Sequence, residues 1–306
     1  MLDIKFIREN KELVREAARK KRIKFDIERL IGVDEKRRNL IKEVDALRHQ
    51  HRTTSELTTG LQGDDRKNYI AQLKDEKDKL SHKEFELKTI ESEFDELMLG
   101  VPNIPDPSVP EGESDADNQE IRKWGEPVMG GIDYLSIMKN LGMLDLDRGV
   151  KVSGFRGYFL KGEATTLSLA VWQFALDFHA KKGFLSFFAP SLIRRENLVG
   201  TGWIGGGANQ VEEDVYKTQD DLYLSGTAEV PVMGYHRDEI LSEEELPKKY
   251  AAFSPCYRRE IGSYSKDTHG VFRVHEFFKI EQVVLCRADH VESVKLHEEL
   301  TKNSED

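Results

Sequence analysis

Leucine and phenylalanine return every seventh position at Leu73, Leu80, Leu87 and Phe94. Ile90 and Leu97 fall three residues after the last two, which makes an apolar seam along one side of a helix. Upstream, Leu40, Val44 and Leu47 keep the matching four-three spacing. Between the two runs, Thr58-Thr59-Gly60-Leu61-Gln62-Gly63-Asp64-Asp65 supplies two glycines and helix-starting aspartates, as a reversal requires. The pattern predicts an antiparallel helical hairpin, with each helix of ~30 residues extending ~45 Å. The same heptads suit an oligomerising coiled coil; the short reversal favours pairing within the chain.

The texture changes twice. Residues 1–99 are charged, helix-forming and free of proline, whereas 100–118 carry four prolines among acids and small polar residues and read as a linker. From 119 to 306, aromatic and β-branched residues alternate with glycine turns, the texture of a sheet with flanking helices. The expected architecture is therefore α+β, a helical hairpin followed by a sheet domain.

Composition narrows the classes. The chain has 306 residues and a formal charge of -10, which argues against a protein coated in nucleic acid without excluding one, because affinity depends on where the basic residues sit. Arg19-Lys20-Lys21-Arg22-Ile23-Lys24 and Lys36-Arg37-Arg38 are such clusters, equally readable as solvated helix faces. No apolar run reaches the roughly 18 residues a membrane span needs, and the acid-bearing N-terminus is neither a signal nor a transit peptide. Cys256 and Cys286 are too few for a disulfide framework or a zinc site. These features suit a reducing cytoplasm, with no membrane, DNA or resident-metal partner.

Candidate chemistry concentrates between Phe253 and Leu285. The stretch reads as two strands around the turn-rich segment Gly262–Gly270. Even positions of the second strand (Phe272, Val274, Phe278, Ile280, Val284) are expected against a core. Arg273, His275, Phe277, Lys279 and Glu281 form the other face, with Arg258 and Glu260 sharing a face on the first strand. An aromatic between an arginine and a glutamate suits a nucleotide: the guanidinium fork matches phosphate, the carboxylate accepts from an exocyclic amine, and the ring stacks on a base.

These residues, as R-x-E, the loop GSYSKDTHG, then R-V-H-E-F and K-I-E-Q, resemble motif 2 of the class II aminoacyl-tRNA synthetases, and the loop resembles the seryl family of bacterial type most closely. The resemblance implies ATP held by Arg258, Arg259, Glu260, Arg273, Val274, His275, Glu276 and Phe277. Within that set Arg258 would act on the α-phosphate, Glu260 on the adenine amine, Arg273 on the terminal phosphates, and Phe277 as the stacking ring. Glu276 stands where the family commonly has glutamine. Leu222–Pro231 resembles the family's T-A-E segment, which implies a serine site at Thr227, Ala228, Glu229 and Glu281, with Thr227 and Glu229 on one strand face. A pocket that demands a hydroxyl rejects alanine, because its carboxylate would be left unpaired. The helix 164–182 and the strand ending at Pro190 resemble motif 1, the dimer element. Gly200–Gly207 lacks the G-K-[ST] ending of a phosphate loop and is expected to be a flexible surface loop.

By the same resemblance the chain is a serine–tRNA ligase that uses ATP with Mg2+, pairs as a homodimer, and charges tRNA(Ser), with tRNA(Sec) an open second acceptor. The hairpin would grip tRNA with Arg48, Arg52, Arg66 and Lys67 near its tip, beside His49 and His51, on phosphates and 2′-hydroxyls. The family's later E-[IL]-[ST]-S segment and motif 3 have no counterpart here, so an incomplete catalytic domain of low stability and activity is expected. A non-catalytic tRNA-binding relative is the alternative, and a coiled-coil scaffold a third.

Overall fold

The hydrophobic spacing of the first hundred residues closes into helices α1 (Ile4–Glu9), α2 (Lys11–Lys20), α3 (Ile27–Thr58) and α4 (Gly63–Leu99). The computed structural model describes residues 2–58, 60, 62–123, 125–126, 130–205, 212–261 and 270–306. The chain divides into two compact units, Met1–Lys123 and Trp124–Asp306.

In the first unit α3 and α4 form the hairpin that the heptads predict. At its root Ile7, Val14, Ile27, Leu30 and Met98 make a core, with Phe94 and Leu97 against it. Away from the root, Leu40 and Val44 are buried while Leu73, Leu80 and Leu87 stay half-buried, because two helices can cover only one stripe of each other. Asp3 caps α1 by accepting from the Lys5 and Phe6 amides. Two carboxylates interrupt the apolar seam. Asp34, 0 % exposed, is met by Arg8, Arg37 and Arg38. Glu76, 3 % exposed, accepts through Oε1 from Gln50, Thr54 and Gln72 at 2.9–3.0 Å. The basic clusters are largely paired too, Arg19 with Glu16 and Glu111 and Arg22 with Glu113.

The second unit runs α5 (Tyr134–Asn140), β1 (Leu144–Asp145), α6 (Leu146–Ser153), β2 (Phe159–Leu160), α7 (Glu163–Lys181), β3 (Leu185–Phe188), β4 (Leu192–Ile193), α8 (Arg195–Gly200), β5 (Tyr223–Leu224), α9 (Glu229–Tyr235), β6 (Lys248–Tyr257), β7 (Glu276–Leu285) and α10 (His290–Glu305). The central sheet has the order β3-β6-β7, with β3 parallel to β6 and β6 antiparallel to β7. It is thus a mixed sheet. On one face α9 packs with Ala189, Ala228, Val232, Tyr250, Ala252 and Val283. On the other, Trp172 of α7 meets Phe253, which stacks on Phe278.

Three expectations are corrected. The strands are shorter than the alternation suggested: Arg258, Glu260 and Arg273 lie beyond their ends, and Glu260 takes a left-handed φ of 55° that no strand tolerates. The even side of this stretch is buried only in part, since Val274 is buried but Phe278 is 44 % and Phe272 75 % exposed, while Val283 on the odd side joins the core. The odd side wins because α9 covers it. Thirdly, Thr227 and Glu229 are not on a strand. The chain turns at Ser225-Gly226, and Glu229 opens α9. The turn 262–269 lies outside the described residues.

Candidate active site

The odd side of β7 is the floor on which the site is built. In the β6–β7 ladder Phe277 sits opposite Cys256, Lys279 opposite Ser254 and Glu281 opposite Ala252, so three consecutive same-face side chains of β7 rise over small, buried neighbours. Phe277 to Glu281 spans ~13 Å at the strand rise. Burial pushes the Cys256 thiol up, which makes it floor and not nucleophile.

At the Phe277 end, the Arg258 guanidinium lies 5.1 Å from the Phe277 ring centre and 5.7 Å from that of Trp203. Its Nε donates to the Gly226 carbonyl at 3.3 Å. The backbone holds it there: the Arg258 amide donates to the His275 carbonyl at 3.0 Å, and His275 Nδ1 is 2.9 Å from the Arg258 carbonyl. Arg273 donates to Glu260 at 2.8 Å, and Val274 is buried beneath them. Arg258, Arg259, Glu260, Arg273, Val274 and Phe277 share one concavity of about 630 Å³. His275 braces from behind. Glu276, exposed, takes the Tyr257 hydroxyl at 3.3 Å.

At the Glu281 end, Thr227 donates from Oγ1 to Glu281 at 2.8 Å and accepts from Lys279 at 2.7 Å. Lys279 also pairs directly with Glu281. Desolvation, then the Glu281 carboxylate, raise Glu229 above its ordinary 4.5, with Lys279 acting in the opposite sense. Two carboxylates that repel each other, with a single lysine between their charges, form a site that favours a further cation. Ala228 is buried in the core under α9 and serves as packing.

Three residues beside these groups escaped the sequence. Lys279 stood on the odd face without a role, although its place between Phe277 and Glu281 was the signal. Trp203 and Ile204 lay in the glycine run read as a flexible loop. Ile204 is fully buried, and Gly226 admits the Trp203 ring so closely that a Cβ there would fall 2.9 Å from it. The run is anchored through Ile204; Gly206 and Gly207 lie outside the described residues. Of the arm residues, Arg48 pairs with Glu84 at 2.8 Å and Lys67 with Asp64 at 2.9 Å, while Arg52 lies 3.4 Å from His49. All three, and Arg66, are exposed.

An arginine over an aromatic ring beside a paired-carboxylate pocket, on the antiparallel pair of a sheet flanked by helices, defines a class II aminoacyl-tRNA synthetase core. Residues 211–305 match the tRNA synthetase class II core domain (G, H, P, S and T), and residues 1–105 match the seryl-tRNA synthetase N-terminal domain. The chain belongs to the seryl-tRNA synthetase family, whose members are ligases. It is 42 % identical to the serine–tRNA ligase of Deinococcus radiodurans, with 100 % of this chain and 72 % of that protein covered. With the enzyme of Caldicellulosiruptor saccharolyticus the identity is 40 %, over 100 % and 73 %. The crystal structure of seryl-tRNA synthetase from Pyrococcus horikoshii complexed with ATP superposes with a TM-score of 0.78 at 33 % identity, covering 100 % of this chain and 73 % of that one. That of the cytoplasmic serine–tRNA ligase of Naegleria fowleri in complex with AMP gives 0.79 at 31 %, over 100 % and 71 %.

Proposed function

We propose that the odd face of β7 binds a seryl-adenylate end to end, adenine at Phe277 and serine at Glu281. The observation that carries this reading is the side-by-side arrangement of the Arg258–Phe277 pair and the Thr227–Lys279–Glu281 network on one strand face. Adenine stacks on Phe277 and its amine meets Glu260. Arg258 neutralises the α-phosphate, and Arg273 exchanges Glu260 for the terminal phosphates. The serine ammonium settles between Glu229 and Glu281, and its hydroxyl completes their hydrogen bonding with Thr227 orienting it. The serine carboxylate then attacks the α-phosphorus in line and pyrophosphate leaves. In the second step the 3′-hydroxyl of the terminal tRNA ribose takes the seryl group and AMP leaves. Positioning and charge stabilisation do this work, so a protein nucleophile is not required.

ATP phosphates ordinarily travel with Mg2+. The described residues contain no cluster of three His, Cys, Asp or Glu side chains able to hold a metal. The arm's exposed Arg48, Arg52, Arg66 and Lys67 suit the backbone of tRNA(Ser), and tRNA(Sec) by the same contacts. The apolar, exposed Leu167, Val171, Phe174 and Phe188 on α7 and β3 suit a homodimer face. No described helix is long and apolar enough to cross a membrane, and both thiols are free, which suits the cytoplasm.

Calorimetry with non-hydrolysable seryl-, alanyl- and threonyl-adenylate analogues tests the site without requiring turnover. Tight binding of the seryl analogue alone, lost in Arg258→Ala, is the expected result. Equal binding of all three, or indifference to Arg258→Ala, would overturn the assignment.

A further inference from the structure

Arg156 lies in the turn between α6 and β2 with a φ of +67°, a backbone region that a long side chain enters only when its surroundings over-determine it. The forcing contacts are local. Gly149 of α6 and Gly157 meet backbone to backbone: a Cβ on Gly149 would fall 2.4 Å from the Tyr158 Cα, and one on Gly157 2.4 Å from the Gly149 carbonyl oxygen. Ser153 ties the same turn by donating to the Gly149 carbonyl at 3.1 Å. The clamp drives the Arg156 side chain inward, where it is 3 % exposed and its guanidinium lies 4.0 Å from Glu260 Oε2. The Phe155 ring backs it at 5.2 Å. Glu260 carries the other left-handed backbone of the pair, at +55°.

Two arginines therefore address one carboxylate oxygen, and they differ in mobility. Arg273 is a third exposed and reaches Glu260 at 2.8 Å; Arg156 is enclosed. We propose that Arg156 is a positioning residue for Glu260, holding its carboxylate toward the adenine amine once Arg273 has moved to the phosphates. The inference rests on Glu260 as the adenine partner. A carboxylate this enclosed is costly without a cation beside it. If Arg273 were its sole partner, nucleotide binding would strip Glu260 of compensation at the moment it must read the base. The planar guanidinium, fixed by the turn and by Phe155, offers a constant partner that a flexible ammonium does not reproduce.

The test compares affinity for ATP and for purine riboside triphosphate, which lacks the 6-amino group, by calorimetry on the full chain, with thermal unfolding in parallel. Wild type, Glu260→Gln, Arg156→Gln, Arg156→Lys and the Arg156→Gln/Glu260→Gln double variant are measured. ATP affinity is expected to fall about tenfold in each Gln single variant, with purine riboside triphosphate unchanged and the double variant no weaker than either. Arg156→Lys, which keeps the charge and preserves folding where Arg156→Gln does not, is expected to lose about threefold in ATP preference. A merely structural Arg156 would lower the unfolding temperature and weaken both nucleotides in parallel, which overturns the proposal. So does a folded Arg156→Gln that keeps the ATP preference while Glu260→Gln loses it. If Glu260→Gln keeps the preference, the adenine role of Glu260 fails and the proposal falls with it.

Discussion

The arm buries two carboxylates, whereas the catalytic sheet sets an exposed one, Glu229, beside the half-buried Glu281. In the arm every such group is surrounded by donors. Asp34 is met by three arginines, and Glu76 by Gln72, Gln50 and Thr54, whose hydrogen bonds outweigh burial and hold its carboxyl below the usual range. In the sheet, Glu229 and Glu281 are crowded together and Glu229 is pushed above its ordinary value. A carboxylate ringed by donors fixes a structure; one crowded by a second carboxylate favours a cation beside it. The contrast sets the Glu229–Glu281 pair apart from the arm's carboxylates; Glu260, met by Arg273 and Arg156, is compensated as those of the arm are.

The contrast can be broken most decisively at Asp34. Asp34→Ala leaves three arginines converging on an empty position, and is expected to cost about 3 kcal/mol in urea unfolding followed by helical circular dichroism. Affinity for the seryl-adenylate analogue should not move, and if it does the two regions are not independent. Glu281→Gln should do the reverse, lowering analogue affinity about 50-fold while the helical unfolding transition stays where it is.

The two regions should also respond to pH with opposite signs. Glu76 is lowered in the fold, so its contribution is present above the ordinary 4.5 and is lost as pH falls through the lower folded value. Glu76→Gln should therefore be less stable than the parent near neutrality, with the gap closing in acid. Glu229 is raised, so stability is lost as pH climbs from 4.5 through its folded value. Glu229→Gln should be the more stable form near neutrality, again converging in acid, while binding serine more weakly. Thermal melts from pH 3 to 8 decide both, and the same sign for the two variants would erase the distinction. The smallest effect belongs to the exposed tip. Arg52→Glu with Lys67→Glu should weaken tRNA binding about tenfold at low salt and reduce its salt slope, leaving the adenylate site untouched.

The sequence by itself determined what depends on local periodicity and residue chemistry. The heptads of Leu73 to Phe94 specified a seam, because a seven-residue repeat keeps one stripe facing its partner, and the short reversal upstream of them favoured closing that seam within the chain. The order R-x-E, R-V-H-E-F and K-I-E-Q pointed to a nucleotide, which needs a fork, a ring and an acceptor, and its resemblance to motif 2 pointed to the family. Strand alternation also separated Phe277, Lys279 and Glu281 from their neighbours. Only the tertiary structure decided how each side of β7 is buried, because burial depends on where α9 and α7 land and both sides carry apolar residues. It also decided that Arg258, Glu260 and Arg273 lie beyond the strand ends, where backbone bends that periodicity cannot encode bring them together. Trp203 and Arg156 were illegible for the same reason. They reach the site across long stretches of chain, through a glycine that admits a ring and a glycine pair that forces a turn, and such close approaches exist only once the chain has folded.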